Sequence, residues 1–144
     1  MPAVLRHLRA VLVLVPLMVA AAPGVAAAQS IPSPDGWTDD TFTELRAGRY
    51  DQFQRRLQDA LEADPRQLSE MVGRLQRWAG PDTVQYIDML RSENYGTSLL
   101  RRTYQAHYGG RRFMFFLVQF ARGTEGWLLM DFKASTSPSD FLGP

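Results

Sequence analysis

Residues 99–135 constrain the fold of this 144-residue chain more than any other stretch. Three apolar, aromatic-rich runs follow one another at 99–108, 111–122 and 127–135. Gly109-Gly110 separates the first two and Gly123-Thr124-Glu125-Gly126 the last two. Short strand-forming runs punctuated by glycine turns predict an antiparallel meander. Glycine takes positive φ without a Cβ clash, so Gly109-Gly110 reads as a two-residue hairpin turn with Tyr108 opposite Arg111. A four-residue second turn sets Arg122 opposite Trp127. Side chains alternate along a strand, which sends Leu100, Tyr104, Ala106, Tyr108, Phe113, Phe115, Leu117, Ala121, Leu128, Met130, Phe132 and Ala134 to one face, the expected core.

The other face of this predicted sheet is apolar down its middle strand: Met114, Phe116, Val118 and Phe120, flanked by Arg101, Thr103, Gln105 and His107 on one side and Asp131 and Lys133 on the other. A solvated face would be polar there as well. A strap of terminal chain such as Phe141-Leu142, a second copy of the protein, or a ligand is therefore expected over it. The candidate ligand or partner face is Met114, Phe116, Val118, Phe120, Arg101, His107 and Asp131. A bulge or a different turn length would exchange the faces of the last strand.

Residues 1–28 read as a cleaved signal peptide. Arg6 and Arg9 precede an apolar run, and Ala26-Ala27-Ala28 ends it with small residues, so cleavage is expected after Ala28 and the location is periplasmic or secreted. The chain has no cysteine, which excludes disulfides, a lipid-modified cysteine and cysteine-bound metals. One exported domain must then be held by its core, and about 116 residues suffice for that. Removing Arg6 and Arg9 from the 16 basic side chains leaves 14 against 15 acidic ones. That near balance argues against nucleic-acid binding, and the leader is the only segment expected to meet a membrane. The charge is uneven, with a net of −4 over residues 29–95 and +4 over 96–134.

The expected domain plan is a proline-rich lead-in at 29–36, a single α+β domain at 37–135 and a flexible tail at 136–144. Helix starts are legible at Trp37-Thr38-Asp39, with Thr38 or Asp39 as cap and Trp37 and Phe42 as a staple, and at Asp64-Pro65, with Asp64 as cap. Ala47-Gly48 breaks the first helical stretch and Gly80-Pro81 ends the last. Tyr50, Phe53, Leu57, Ala60 and Leu61, then Leu68, Met71, Val72, Leu75 and Trp78, recur at helical spacing. Residues 84–90 fit either a helix or a strand; the favoured reading is a fourth strand of the meander, with residues 92–97 as the turn. The single repeat-like run around 45–65 has no second copy to stack on, which excludes a tetratricopeptide array. The fold class predicted is α+β: about three N-terminal helices packed on a three- to four-stranded antiparallel sheet.

The order of these elements resembles the nuclear-transport-factor-2-like and cystatin-like folds, and within them small secreted bacterial proteins that carry Gly48-Arg49-Tyr50-Asp51 in the first helices, the aromatic strand 113–120 and Trp127-Leu128-Leu129-Met130-Asp131-Phe132. These are packing residues. Members of the wider fold include isomerases, dehydratases and binding or dimerisation modules, so the resemblance implies a fold and leaves function open.

No catalytic signature, cofactor cradle or metal spacing is present in the sequence. His107 is the one histidine after processing and cannot form a conventional zinc site alone. Asp88, Asp131 and Tyr104 are candidate acid–base groups, weighed against surface carboxylates and a core tyrosine. Arg101, Arg102, Arg111 and Arg112 read as an anion grip or as solubilising charges at a sheet end. The leading expectation is a non-enzymatic exported interaction module with a homodimer or an envelope protein as partner. The rival is a small cavity enzyme of isomerase or hydrolase type.

Overall fold

In the computed structural model, which describes residues 29–143, the first and third of the long helices start where a side-chain cap followed by a proline resolves the unpaired N–H groups of a first turn, and the second starts without a side-chain cap. Helix α1 spans Pro34–Arg46, α2 Tyr50–Ala60 and α3 Pro65–Ala79. Ser33 caps α1 by accepting from Gly36 N at 3.3 Å, with Pro34 in the first helical position. The helix thus begins inside the expected lead-in, ahead of the predicted caps. Thr38 instead turns its hydroxyl back to Pro34 O at 2.7 Å and is buried. Asp64 caps α3 as the sequence indicates, accepting from Arg66 N at 2.9 Å. Gly48 at φ 70° separates α1 from α2.

Four strands follow: β1 Tyr86–Tyr95, β2 Leu99–His107, β3 Phe113–Arg122 and β4 Trp127–Ser135, paired antiparallel in sequence order. The ambiguous run at 84–90 is a strand and the fourth member of the meander. It continues through residues 92–95, where the sequence predicts the turn.

The first hairpin differs from expectation by one residue. Tyr108 donates to Arg112 O and Arg112 N donates to Gly109 O, so the loop holds three residues rather than two. His107 lies opposite Phe113, Tyr104 opposite Phe116 and Leu100 opposite Phe120. A slip of one residue exchanges the faces of a strand. Met114, Phe116, Val118 and Phe120 therefore join Leu100, Tyr104, Ala106 and Tyr108 in the core, with Phe116, Val118 and Phe120 fully buried. They are not an open partner face. Trp37 and Phe42 of α1 pack on Phe120 and Phe116, with ring centroids 5.7 and 5.4 Å apart, and Phe53 of α2 packs on Phe132 at 5.8 Å. Each such side chain contributes roughly 1.5–3 kcal/mol by leaving water.

The second turn behaves as read, with Arg122 opposite Trp127 and Ala121 opposite Leu128. A bulge follows, so Gln119 faces Asp131 and Val118 faces Phe132. It leaves Met130 unpaired and 55% exposed, while Phe132 keeps its place in the core.

Phe115 and Leu117, expected in the core, lie on the outer face. Phe141, from the one-turn helix α4 (Ser139–Leu142), covers them there. Part of the tail expected to be flexible at 136–144 is thus folded onto the sheet, and it covers the opposite set of β3 residues from the one for which a strap was one of three possible coverings. At the other end Ile31 makes a two-bond bridge to Trp127, Ile31 N to Trp127 O at 2.7 Å and Trp127 N to Ile31 O at 2.8 Å. Leu61 adds a parallel bridge to Leu129. These contacts cover the start of the β4 edge. The leader predicted at residues 1–28 lies outside the described residues.

Candidate interaction surface

Strand β1 forms the other edge of the sheet, and no segment among the described residues pairs with its outer side. Its ten residues include four of the five large hydrophobic side chains most exposed to solvent: Tyr86, Met89, Leu90 and Tyr95, between 43% and 53% exposed. A long edge strand with apolar side chains is a template for pairing with another chain. Its charged residues Asp88, Arg91 and Glu93 share the outer face with Tyr86 and Tyr95, opposite Gln105, Thr103 and Arg101 of β2. Between Met89 and Arg91 the register shifts, and Leu90 is the inserted residue. The adjacent apolar pair Met89-Leu90, which breaks the alternation of a strand, was the sequence signal for this bulge.

The predicted site residues divide between the two sides of the sheet. Arg101, His107 and Asp131 are on the outer face, whereas Met114, Phe116, Val118 and Phe120 of the same predicted set face the helices. Arg101 approaches Glu93 of β1 at 4.0 Å. Asp131 pairs with Lys133 on its own strand at 2.7 Å and does not meet Arg101. His107 is stacked between Tyr86 and Phe113, each ring centroid 4.9 Å away. Its Nε2 donates to Gly110 O at 3.1 Å, because a carbonyl oxygen only accepts; Nδ1 is buried without a partner. The histidine ties the hairpin loop to the outer aromatic ladder.

Arg112 is built into the fold. It donates to the carbonyls of Trp78 and, at 3.3 Å, Ala79 at the end of α3, pairs with Asp82 and lies 4.6 Å over the Trp78 ring. It satisfies carbonyls that a helix end leaves open. Arg102 pairs with Asp35 at 2.5 Å across the mouth between α1 and the sheet. Burial works against its charge, but Tyr104 and Asp35 outweigh it and stabilise the guanidinium.

On the helix side of the sheet, Tyr104 is packed against Phe42 at a centroid distance of 5.0 Å. Burial raises its hydroxyl above the ordinary phenol value, against the pull of Arg102 and Thr38. Burial, reinforced by Tyr50, raises Tyr108 further, and burial also raises Tyr50. Phenols whose folded pKa exceeds the unfolded value of 10.0 stay protonated while the unfolded chain ionises. Their contribution is complete below pH 10 and falls as pH rises above it. Stability measured by denaturant titration is expected to drop from about pH 10 upward, and the drop is expected to shrink in Tyr108→Phe.

Surface grooves lie elsewhere. One of ≈ 370 Å³ runs between the Ile31 strap and α1–α2. Another of ≈ 610 Å³ lies between α3, β4 and α4, with Leu68, Met71 and Phe141 in its wall. Neither Tyr104 nor Asp88 lines these grooves. Among the described residues no group of three or more acidic or histidine side chains is arranged to hold a metal.

No protein-family model matches the chain, and no curated protein matches it. Among solved structures the chain is similar to a protein described as a calcium/calmodulin-dependent protein kinase type II association domain from Thiobacillus denitrificans ATCC 25259. The two are 13% identical, with a TM-score of 0.50 over 76% of this chain and 98% of that one. At that identity the likeness concerns the fold alone, and it supports the nuclear-transport-factor-2-like half of the expected resemblance.

Proposed function

We propose that this protein is a non-enzymatic interaction module that docks through the free edge of β1. The single observation that carries the reading is the concentration of exposed apolar side chains, Tyr86, Met89, Leu90 and Tyr95, on an unpaired ten-residue edge strand. The similar structure is described as an association domain, which accords with a role in assembly. The rival cavity enzyme needs at least two polar groups converging in an apolar pocket. The space beside Tyr104 is instead occupied by Phe42. The proposal includes export, with the leader removed after Ala28 and the domain acting in the periplasm or outside the cell.

Native mass spectrometry of the protein from its own envelope tests this. The expected result is an assembled species that the double substitution Met89→Lys with Leu90→Lys reduces to a monomer with an unchanged circular dichroism spectrum, because both side chains lie in water in the single chain. A monomer carrying a reproducible small mass would overturn the proposal in favour of the cavity enzyme.

A further inference from the structure

Resting on that reading of β1, we infer that its partner is a second copy of the same strand, joined antiparallel about a two-fold axis between Met89 and Leu90.

The bulge makes this register available. Residues that meet across a two-fold perpendicular to a sheet must lie on the same face. In an unbroken strand only positions an even number apart share a face, so an axis between two consecutive residues would oppose mismatched faces. The insertion of Leu90 changes the alternation. Asp88 and Arg91 both lie on the outer face, opposite Gln105 and Thr103 of β2, and Ile87 and Ser92 both lie on the helix side, opposite Ala106 and Arg102. An axis between Met89 and Leu90 therefore sets Asp88 against Arg91, Ile87 against Ser92 and Tyr86 against Glu93, each pair on one face.

Charge selects the same register. The proposed axis brings Asp88 of each copy to Arg91 of the other, two opposite-charge crossings related by symmetry. It also places Met89 on Leu90, burying the two most central apolar side chains of the edge. Moving the axis by one residue, to lie between Leu90 and Arg91, opposes Asp88 to Glu93 twice. Placing it on Leu90 leaves Asp88 opposite Ser92 and sets Met89 against Arg91. Asp88 forms no ion pair among the described residues, and the contact of Arg91 with its own strand's Glu93 is a long one at 3.8 Å. Cross-strand opposite charges stabilise a sheet and like charges directly opposite destabilise it. The assembly so formed is one continuous sheet of eight strands, four from each copy.

Sedimentation velocity over a dilution series of the processed chain tests the pairing. The wild type is expected to dimerise, Asp88→Arg or Arg91→Asp alone to weaken the dimer about tenfold, and the two together to restore it. The chain has no cysteine, so a single cysteine at Ser92 or Asn94 accepts a spin label cleanly. The separation between labels in the dimer should be about 13 Å greater for Asn94→Cys than for Ser92→Cys, because each copy moves two residues further from the axis. A wild type monomeric at every concentration overturns the inference. A dimer that Met89→Lys with Leu90→Lys abolishes but the charge reversals leave unchanged overturns this register and keeps the β1 edge. A dimer indifferent to all of these substitutions overturns both.

Discussion

Phe116→Glu is expected to leave no folded protein. The side chain has no solvent exposure and lies between Phe42 and Phe132, with ring centroids 5.4 and 5.6 Å away. A carboxylate there would be buried among aromatic rings, with Arg102 on the same face already paired to Asp35, and a buried charge without a partner of its own costs several kcal/mol or more. The whole stability of a domain of this size is about 5–15 kcal/mol. Phe116→Ala keeps the site apolar and leaves a cavity, for which about 3–5 kcal/mol is the usual loss. Circular dichroism and urea titration measure both. A folded, monomeric Phe116→Glu variant would return this residue to an outer surface and restore the two-residue hairpin that the sequence suggested.

Gly126→Ala is expected to release the N-terminal strap at a cost of about 1–3 kcal/mol. Gly126 sits at φ 150°, where side chains are disfavoured. An added Cβ would stand 2.4 Å from Ser30 Oγ and 2.9 Å from Ile31 O. The serine can rotate away. The carbonyl cannot, because Trp127 N donates to it and Ile31 N donates to Trp127 O. Hydrogen exchange at the amides of Ile31 and Trp127 should accelerate in the variant while β2 and β3 amides stay protected. Unchanged exchange at Ile31 would show that the strap accommodates a methyl group.

The helices and the strand order were legible because their signals are local: the Asp64-Pro65 start, the Gly48 break and the spacing of Phe53, Leu57, Leu68 and Leu75. The register of the first hairpin was not. Gly109-Gly110 fits either a two- or a three-residue loop, and β3 offers apolar side chains to both sides, so alternation supplied no penalty for the wrong choice. What decides is tertiary. Tyr108 pairs with Arg112, whose guanidinium is held by the end of α3, a contact 34 residues away for Trp78. Arg101, His107 and Asp131 share the outer face, whereas the register read from the sequence joins them to Met114, Phe116, Val118 and Phe120, which face the helices. The β1 edge was not legible beyond the favoured strand at 84–90: the apolar pair Met89-Leu90 fits a helix as well as a bulged strand, and exposure depends on which strand becomes the edge.

The double-sided apolar character of β3 also shapes how the chain reaches this structure. A hairpin closed one residue short would turn Phe113, Phe115 and Leu117 to the helix side, so the pairing of β2 with β3 has two apolar basins that alternation alone does not separate. Neighbouring strands that pair in sequence order form early and close short loops, which makes an early slip easy to commit. Docking of α1 through Trp37 and Phe42 separates the basins, since only the native one presents Phe116 and Phe120 to it. The first helix of the chain thus favours one register of a hairpin that lies about 70 residues further on, and the two levels of structure agree only in the native pairing.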